Sequence, residues 1–410
     1  MKYETRVEQH QITTQDTRYK EADNLCFLSK NLYNATLYAV RQYYFKNKKY
    51  LRYYDVNKQF THSNNSDYRA LPAKVSKCTQ RLVDKNFKSF FNLRRKGYFA
   101  RIPKYLDTEN GKQIVHYEKK AISFVKRKGY IHLSKTNIFI KTNLTKEEVQ
   151  FVRIIPKGNH IVFEIGYNKL IEEKKKDNGR YASIDLGINN LMTVSSNVFT
   201  PFIINGKPVK SMNVYYNKLL ARNKKLLWKL NRQKSSHRLC SIHRKRMNKV
   251  KDYFHKSTHY VVNQLVSNQV NTLVIGYNKG WKQDTTMRKS SKQTFIQIPF
   301  YTLIQMLTYK CQEKGINVII QEESYTSKSS FLDLDEIPVW DSKKNTITFY
   351  GKRVKRGLYQ SKEGKLINAD LNGSLNILRK YLEKQEAWNE KLFSNLVEVC
   401  SKPLLIRVSL

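Results

Sequence analysis

The chain has 410 residues, of which 76 are Lys or Arg and 33 are Asp or Glu, giving a formal net charge of +43 at pH 7. That length predicts two or three domains, and a hydrophobic content of 40% predicts real cores, which excludes wholesale disorder. The charge points to nucleic acid; a membrane surface or an acidic protein would also attract it, but the chain lacks an apolar run of about 18 residues and its basic residues are not gathered beside an anchor.

Residues 1–19 are polar and charged, which predicts no secretory signal and a cytoplasmic, nucleoid-associated protein, or a nuclear one in a eukaryote. From Lys20 to about Lys49, Leu25, Leu28, Leu32 and Leu37 recur near helical spacing. Asn64-Asn65-Ser66 reads as a turn, and Leu71-Pro72 opens a second helix with Val75, Leu82, Val83, Phe87, Phe90 and Phe91 on its apolar side. Lys74, Lys77 and Arg81 fall on another face with Gln80 nearby; this is a candidate face for phosphates and a base edge, or a plain solvated one. Between about 115 and 170, short β-type runs separated by Lys-Gly, Lys-Thr-Asn and Pro-Lys-Gly-Asn turns predict a small antiparallel barrel or sheet. The Lys-rich stretch Ile171 to Arg180 marks a domain boundary.

From Tyr181 the predicted order is strand (Ala182 to Leu186), strand (Leu191 to Ser195), one long basic helix (about Asn213 to Val266) and strand (Thr272 to Ile275). A helix (Pro299 to Lys314), a strand (Ile316 to Ile320), a polar hairpin-like segment (Pro338 to Leu358) and a helix (Leu371 to Tyr381) follow. This is the order of an RNase H-like α/β domain. The five cysteines, Cys26, Cys78, Cys240, Cys311 and Cys400, contain no Cys-x-x-Cys pair and predict neither zinc site nor disulfide framework, which fits a reducing compartment. Aromatics make up 12% of the chain, and its 27 tyrosines interleave with lysines; stacking on bases and ordinary packing both use such residues.

In so basic a chain, clustered carboxylates need a local reason. Asp185 ends a strand before Gly187, Glu322 and Glu323 follow another strand, and Asp370 stands near a helix start. Hard oxygen ligands delivered from separate strand ends suit two magnesium ions acting on a phosphodiester. Singly, Asp185 reads sooner as a turn-capping or surface residue, and Asp370 could simply N-cap the helix that follows.

Tyr181 to Asn190, LVIGYNKGWKQ (Leu273 to Gln283), IPFYTLIQMLTYK (Ile298 to Lys310), EESYTSKSSFLD (Glu322 to Asp333), GKRVKRGL (Gly351 to Leu358) and INADLNGSLNILRK (Ile367 to Lys380) resemble the TnpB proteins of insertion sequences. So do Leu71 to Phe91 and Ala121 to Thr136. TnpB is related to the Fanzor proteins and to type V CRISPR effectors. The resemblance implies an RNA-guided DNA endonuclease with one RuvC-like, RNase H-like site, a guide RNA from the transposon end, and target double-stranded DNA cut beside a short flanking motif. It implies a wedge-type β-barrel over 1–19 and 113–178, a helical recognition lobe over 20–112, and a nuclease domain over 179–410 with an insertion at about 326–364. Asp185, Glu323 and Asp370 are then the metal-binding catalytic residues, with Glu322 the second choice. Lys74, Lys77 and Gln80 become candidates for the flanking motif, and Lys282, Arg353, Lys355 and Arg356 for nucleic-acid backbone.

Two departures from the family pattern stand out. The strand Leu273-Val274-Ile275 is followed by Gly276 where TnpB proteins commonly place a catalytic Glu, which shifts that role to Glu323. Cysteine pairs are missing after Tyr-Thr-Ser, so zinc is not expected, and Trp340, Phe349 and Tyr350 are expected to pack the insertion instead. A guided DNA-binding repressor that has lost cleavage, and a guide-independent transposase, are the alternative readings.

Overall fold

A computed structural model of the chain describes residues 2–278, 280, 289–339, 348–390 and 403–408. Two compact units emerge, residues 3–170 and residues 171–410.

The first unit contains β1 (Lys2–Thr13), α1 (Tyr19–Asn47), α2 (Tyr53–His62), α3 (Ser66–Arg69) and α4 (Ala73–Arg95). Six strands follow: β2 (Val115–Glu118), β3 (Ile122–Ser123), β4 (Tyr130–Leu133), β5 (Phe139–Lys141), β6 (Val149–Pro156) and β7 (His160–Ile171). In α4, Val75, Thr79, Val83, Phe87 and Phe90 recur every three or four residues and form its buried face. Its apolar members share one core with Leu32 and Leu37 of α1 and with Tyr117, Val152 and Ile165 of the sheet. The β-rich stretch makes two sheets, ordered β1-β7-β6-β2 and β3-β4-β5.

The second unit holds β8 (Tyr181–Leu186), β9 (Asn190–Ser196), β10 (Phe202–Asn205), α5 (Lys207–Asn231), α6 (His237–Ser267), β11 (Thr272–Gly276), α7 (Lys289–Gln297), α8 (Phe300–Gln312) and β12 (Asn317–Gln321). It continues with β13 (Lys352–Lys355), β14 (Leu358–Gln360), β15 (Leu366–Asn368), α9 (Ala369–Lys384) and β16 (Leu404–Ile406). The single long helix expected over Asn213 to Val266 is in fact two. Arg232 adopts a left-handed conformation (φ 54°) that closes α5, and the Ser236 side chain caps α6 by accepting from Leu239 N.

The main sheet runs β12-β11-β8-β9-β10-β16. β9 is antiparallel to both β8 and β10, whereas β11 runs parallel to β8 and to β12. Alternation of side chains along β8 and β11 then separates two faces. Ala182, Ile184, Leu273 and Ile275 join the core under α6 and α8, while Tyr181 and Val274 join a second core under α9. Asp185 shares the parity of Tyr181 and Ser183, so it belongs to the α9 face. There Ser374 lets the helix approach closely: its Oγ lies 2.9 Å from Ser195 Oγ, and its carbonyl accepts from Ser183 Oγ at 2.7 Å.

The segment between β12 and β14 packs differently from expectation. Tyr350 is 61% exposed, beneath the Lys362 ammonium, and Phe349 meets only Tyr325 among described rings. Trp340 lies outside the described residues. Asparagines hold the segment instead: Asn376 Nδ2 donates to Thr326 O and Ser329 O, and Asn372 bridges Phe331 N and Ser329 O. Buried Phe331 fills the space beside them, edge-on to Trp388.

Candidate active site

Strand register brings the acidic residues toward one end of the sheet. Ile184 pairs with Ile275, and Gly276 with Gln321, so the ends of β8, β11 and β12 lie side by side. Asp185 is the penultimate residue of β8, and Glu323 lies two residues beyond β12. Asp370 sits in the first turn of α9, but Asn368 caps that helix, accepting from Asp370 N and Leu371 N. The capping role is thereby taken, and the Asp370 carboxylate is left for other partners.

One stripe of α9 lines up with these strand ends. Asp370, Gly373, Ile377 and Lys380 are spaced three, four and three apart and therefore share a helix face. A Cβ added at Gly373 would stand 3.0 Å from Asp185 Oδ2, so the glycine admits the carboxylate against the helix. A Cβ at Gly276 would meet Ile377 Cδ1 at 2.4 Å and Glu323 Oε2 at 2.8 Å. The carboxylate of Glu323 thus fills the space above Gly276, from the neighbouring strand. Lys380 Nζ donates to Glu322 Oε2 at 2.6 Å, which turns that residue elsewhere.

The electrostatics follow from this crowding. Asp185 has a pKa well above the usual carboxylate range, from burial first, then the negative charges of Glu323 and Asp370. Only the Leu186 N–H and the charge of Arg353 pull it back. Burial, then Glu322, push Glu323 up to about 7. Glu322 goes the other way: against its burial, hydrogen bonds from Lys380 and Ser324 hold it below the ordinary range. Asp370 accepts from Asn190 Nδ2 at 2.6 Å and from an Arg353 guanidinium nitrogen at 3.3 Å.

Hard carboxylate oxygens with a surplus of negative charge fit magnesium. Among the described residues, however, no three His, Cys, Asp or Glu side chains are grouped closely enough to hold one ion as they stand.

The remaining residues singled out from the sequence fall elsewhere. Arg353, Lys355 and Arg356 form the exposed β13–β14 hairpin beside Asp370. Lys282 lies outside the described residues. Lys74, Lys77 and Gln80 belong to the first unit, and Gln80 departs from the outward face expected of it. It is 1% exposed, because the helix turns it toward Asn57, which donates to its Oε1 at 2.9 Å. Sequence reasoning missed Asn190, Gly373 and Lys380. The spacing of the last two from Asp370 was a readable signal, whereas nothing marks Asn190 among its neighbours.

Two family profiles match the chain: OrfB_IS605, described as a probable transposase, over residues 160–282, and the Cas12f1-like TNB domain over residues 300–377. A TnpB-like protein, ORF457 of Acidianus two-tailed virus, is 26% identical over 228 residues. Over these stretches the chain resembles TnpB and Cas12f1-like proteins. The viral match takes in 55% of this chain and 46% of the viral protein, so the chain spans about half the length of that relative. Among solved structures, a Cas12f1–sgRNA–target DNA complex superposes with a TM-score of 0.50 at 14% identity, covering 87% of this chain and 82% of that one. That likeness gives the chain a mixed α/β, multidomain fold like that of Cas12f1. No helix among the described residues is long and apolar enough to cross a membrane.

Proposed function

We propose that this chain is an RNA-guided DNA endonuclease whose RuvC-like, RNase H-like active site is built by Asp185, Glu323 and Asp370. The observation that carries the reading is the convergence of three carboxylates, from β8, from beyond β12 and from α9, around an Asp185 whose charge the protein itself barely offsets. An antiparallel β10-β9-β8 set extended by parallel β11 and β12 supports the RNase H-like assignment.

Two bound magnesium ions would supply charge to the attacking and leaving oxygens of an in-line displacement. The chain's residues supply the rest. Asp185 and Asp370 would provide direct ligands, with Glu323 completing the set. Asn190 holds one Asp370 oxygen and so fixes the plane of that carboxylate. Arg353, exposed on its hairpin and paired with Asp370, would neutralise a phosphate there. Lys355 and Arg356 extend that contact along the backbone, and Lys74 and Lys77 serve the flanking duplex. Base pairing with a guide RNA selects the target.

Asp185→Ala and Asp370→Ala are expected to lower magnesium-dependent cleavage by more than about a hundredfold, beyond the 10–100-fold typical of residues that merely support a ligand. Guided binding of target DNA should persist. Robust cutting by either variant overturns the site. Gly276 favours one other reading, a guided binder without cleavage; wild-type protein that binds its target through RNA and never cuts it would establish that reading.

A further inference from the structure

Two adjacent glutamates follow β12, and only Glu323 reaches the space beside Asp185. Strand alternation cannot choose between them, because the chain leaves the sheet at Gln321 and residues 322–323 have no strand pairing. The choice is made from α9. Lys380 is 7% exposed, and its three ammonium protons have three acceptors: Glu322 Oε2 at 2.6 Å, Ser324 O at 3.2 Å and Pro338 O at 3.2 Å. The other Glu322 oxygen accepts from Ser324 N at 2.7 Å. Both Glu322 oxygens are therefore occupied. Meanwhile Glu323 N donates to Asn278 Oδ1 at 3.0 Å, which fixes the backbone between the two side chains.

We propose that Lys380 is a positioning residue for the site: by holding Glu322 against α9 it commits Glu323 to the space above Gly276. The inference rests on the reading of Glu323 as a metal ligand. Ile377 and Lys380 stand one helical turn apart, so a single helix presents a wall to Glu323 and an anchor to Glu322. A chain whose β11 ends in glycine has no carboxylate at that strand end and depends on this device to import one. Without the ammonium, Glu322 and Glu323 compete for the same space and repel each other there. Without Glu322, the buried ammonium is left to draw Glu323 out of the site, since a buried charge needs a partner.

The test is Mn2+ binding to the purified protein, followed by paramagnetic resonance, with the thermal midpoint measured alongside. Lys380→Met and Glu322→Leu are each expected to weaken Mn2+ binding by about 10–100-fold, the usual cost of removing a group that orients a metal ligand. The exchange Glu322→Lys with Lys380→Glu should recover most of the loss, which a purely structural role would not predict. If Lys380→Met fails to fold, Glu322→Leu, which leaves α9 intact, carries the test. Unchanged Mn2+ affinity in either variant overturns the proposal, whatever the midpoint does. Glu323→Gln separates the two claims. If it binds Mn2+ like the wild type, the Glu323 reading falls and this inference with it. If it loses the ion while Lys380→Met keeps it, only the inference falls.

Discussion

Glu323 is a carboxyl group in surroundings that resist its charge, with burial and then Glu322 raising its pKa from 4.5 to about 7. The folded protein therefore binds this proton more tightly than the unfolded chain, and between those two values stability falls as pH rises. A shift of that size corresponds to roughly 3 kcal/mol of lost stability once the group is ionised in the unfolded chain and at least half ionised in the fold. Glu323→Gln removes the penalty. In metal-free buffer at pH 7.5 the variant is expected to melt about 5–10 °C above the wild type. The gain should vanish near pH 4.5, where the carboxyl is largely neutral in the fold and the penalty has not yet set in. Thermal melts with a chelator check both points, and a variant that melts lower at pH 7.5 would show that the carboxylate supports the fold. Asp185, raised by burial and by the other two carboxylates, belongs to the same pattern. Residues that weaken a fold at neutral pH and converge on one spot are what a metal-dependent site demands of its apo state.

Among the elements, α9 is the one on which the site depends, because it touches β8, β9 and β11 and carries one of the three carboxylates. Its other face holds the 326–336 segment through Asn372 and Asn376, both fully buried. Asn376→Leu strands the carbonyl of Thr326, at about 1–3 kcal/mol, and leaves Ser329 O held by Asn372 alone. Hydrogen exchange should then speed up in 326–336 well before the main sheet loosens; equal acceleration in both would mean that the segment and the sheet unfold as one unit. Much of this architecture was legible in the sequence. β8, β9, β11 and β12 announced themselves as apolar runs, and α9 as a periodic one, so Asp185 and Asp370 could be placed at a strand end and a helix start. β10 was not legible: Phe202–Asn205 is four residues long, and its parallel partner, Leu404–Ile406, lies some two hundred residues away. The break between α5 and α6 escaped because Arg232 carries no turn signature, although its backbone is left-handed. The sequence ranked Glu323 above Glu322 but hid the contact that sets them apart, since the lysine that binds Glu322 lies nearly sixty residues downstream. Local pattern finds elements, while contacts between distant segments decide which side chain serves the site.

For the molecule as a whole, a net charge of +43 on 410 residues has to be reconciled with solubility and with a defined partner. Exposed cations repel one another in the free protein, and a polyanion relieves that repulsion while releasing its own condensed counterions. The chain is therefore expected to purify with RNA. The logarithm of affinity should fall against log salt by about 0.7–0.9 per phosphate contact, so that several contacts give a steep line. Steepness alone does not identify a guide, because any basic surface produces it. The informative comparison sets the co-purified RNA against an unrelated RNA of equal length in competition at about physiological salt, near 0.15 M ionic strength. A guided nuclease must prefer its own RNA when the generic electrostatic contribution is matched. Sequencing should then return one defined species. If the two RNAs compete equally, the charge serves a general nucleic-acid binder, and the carboxylates at the ends of β8 and β12 and the start of α9 would have to act without a guide.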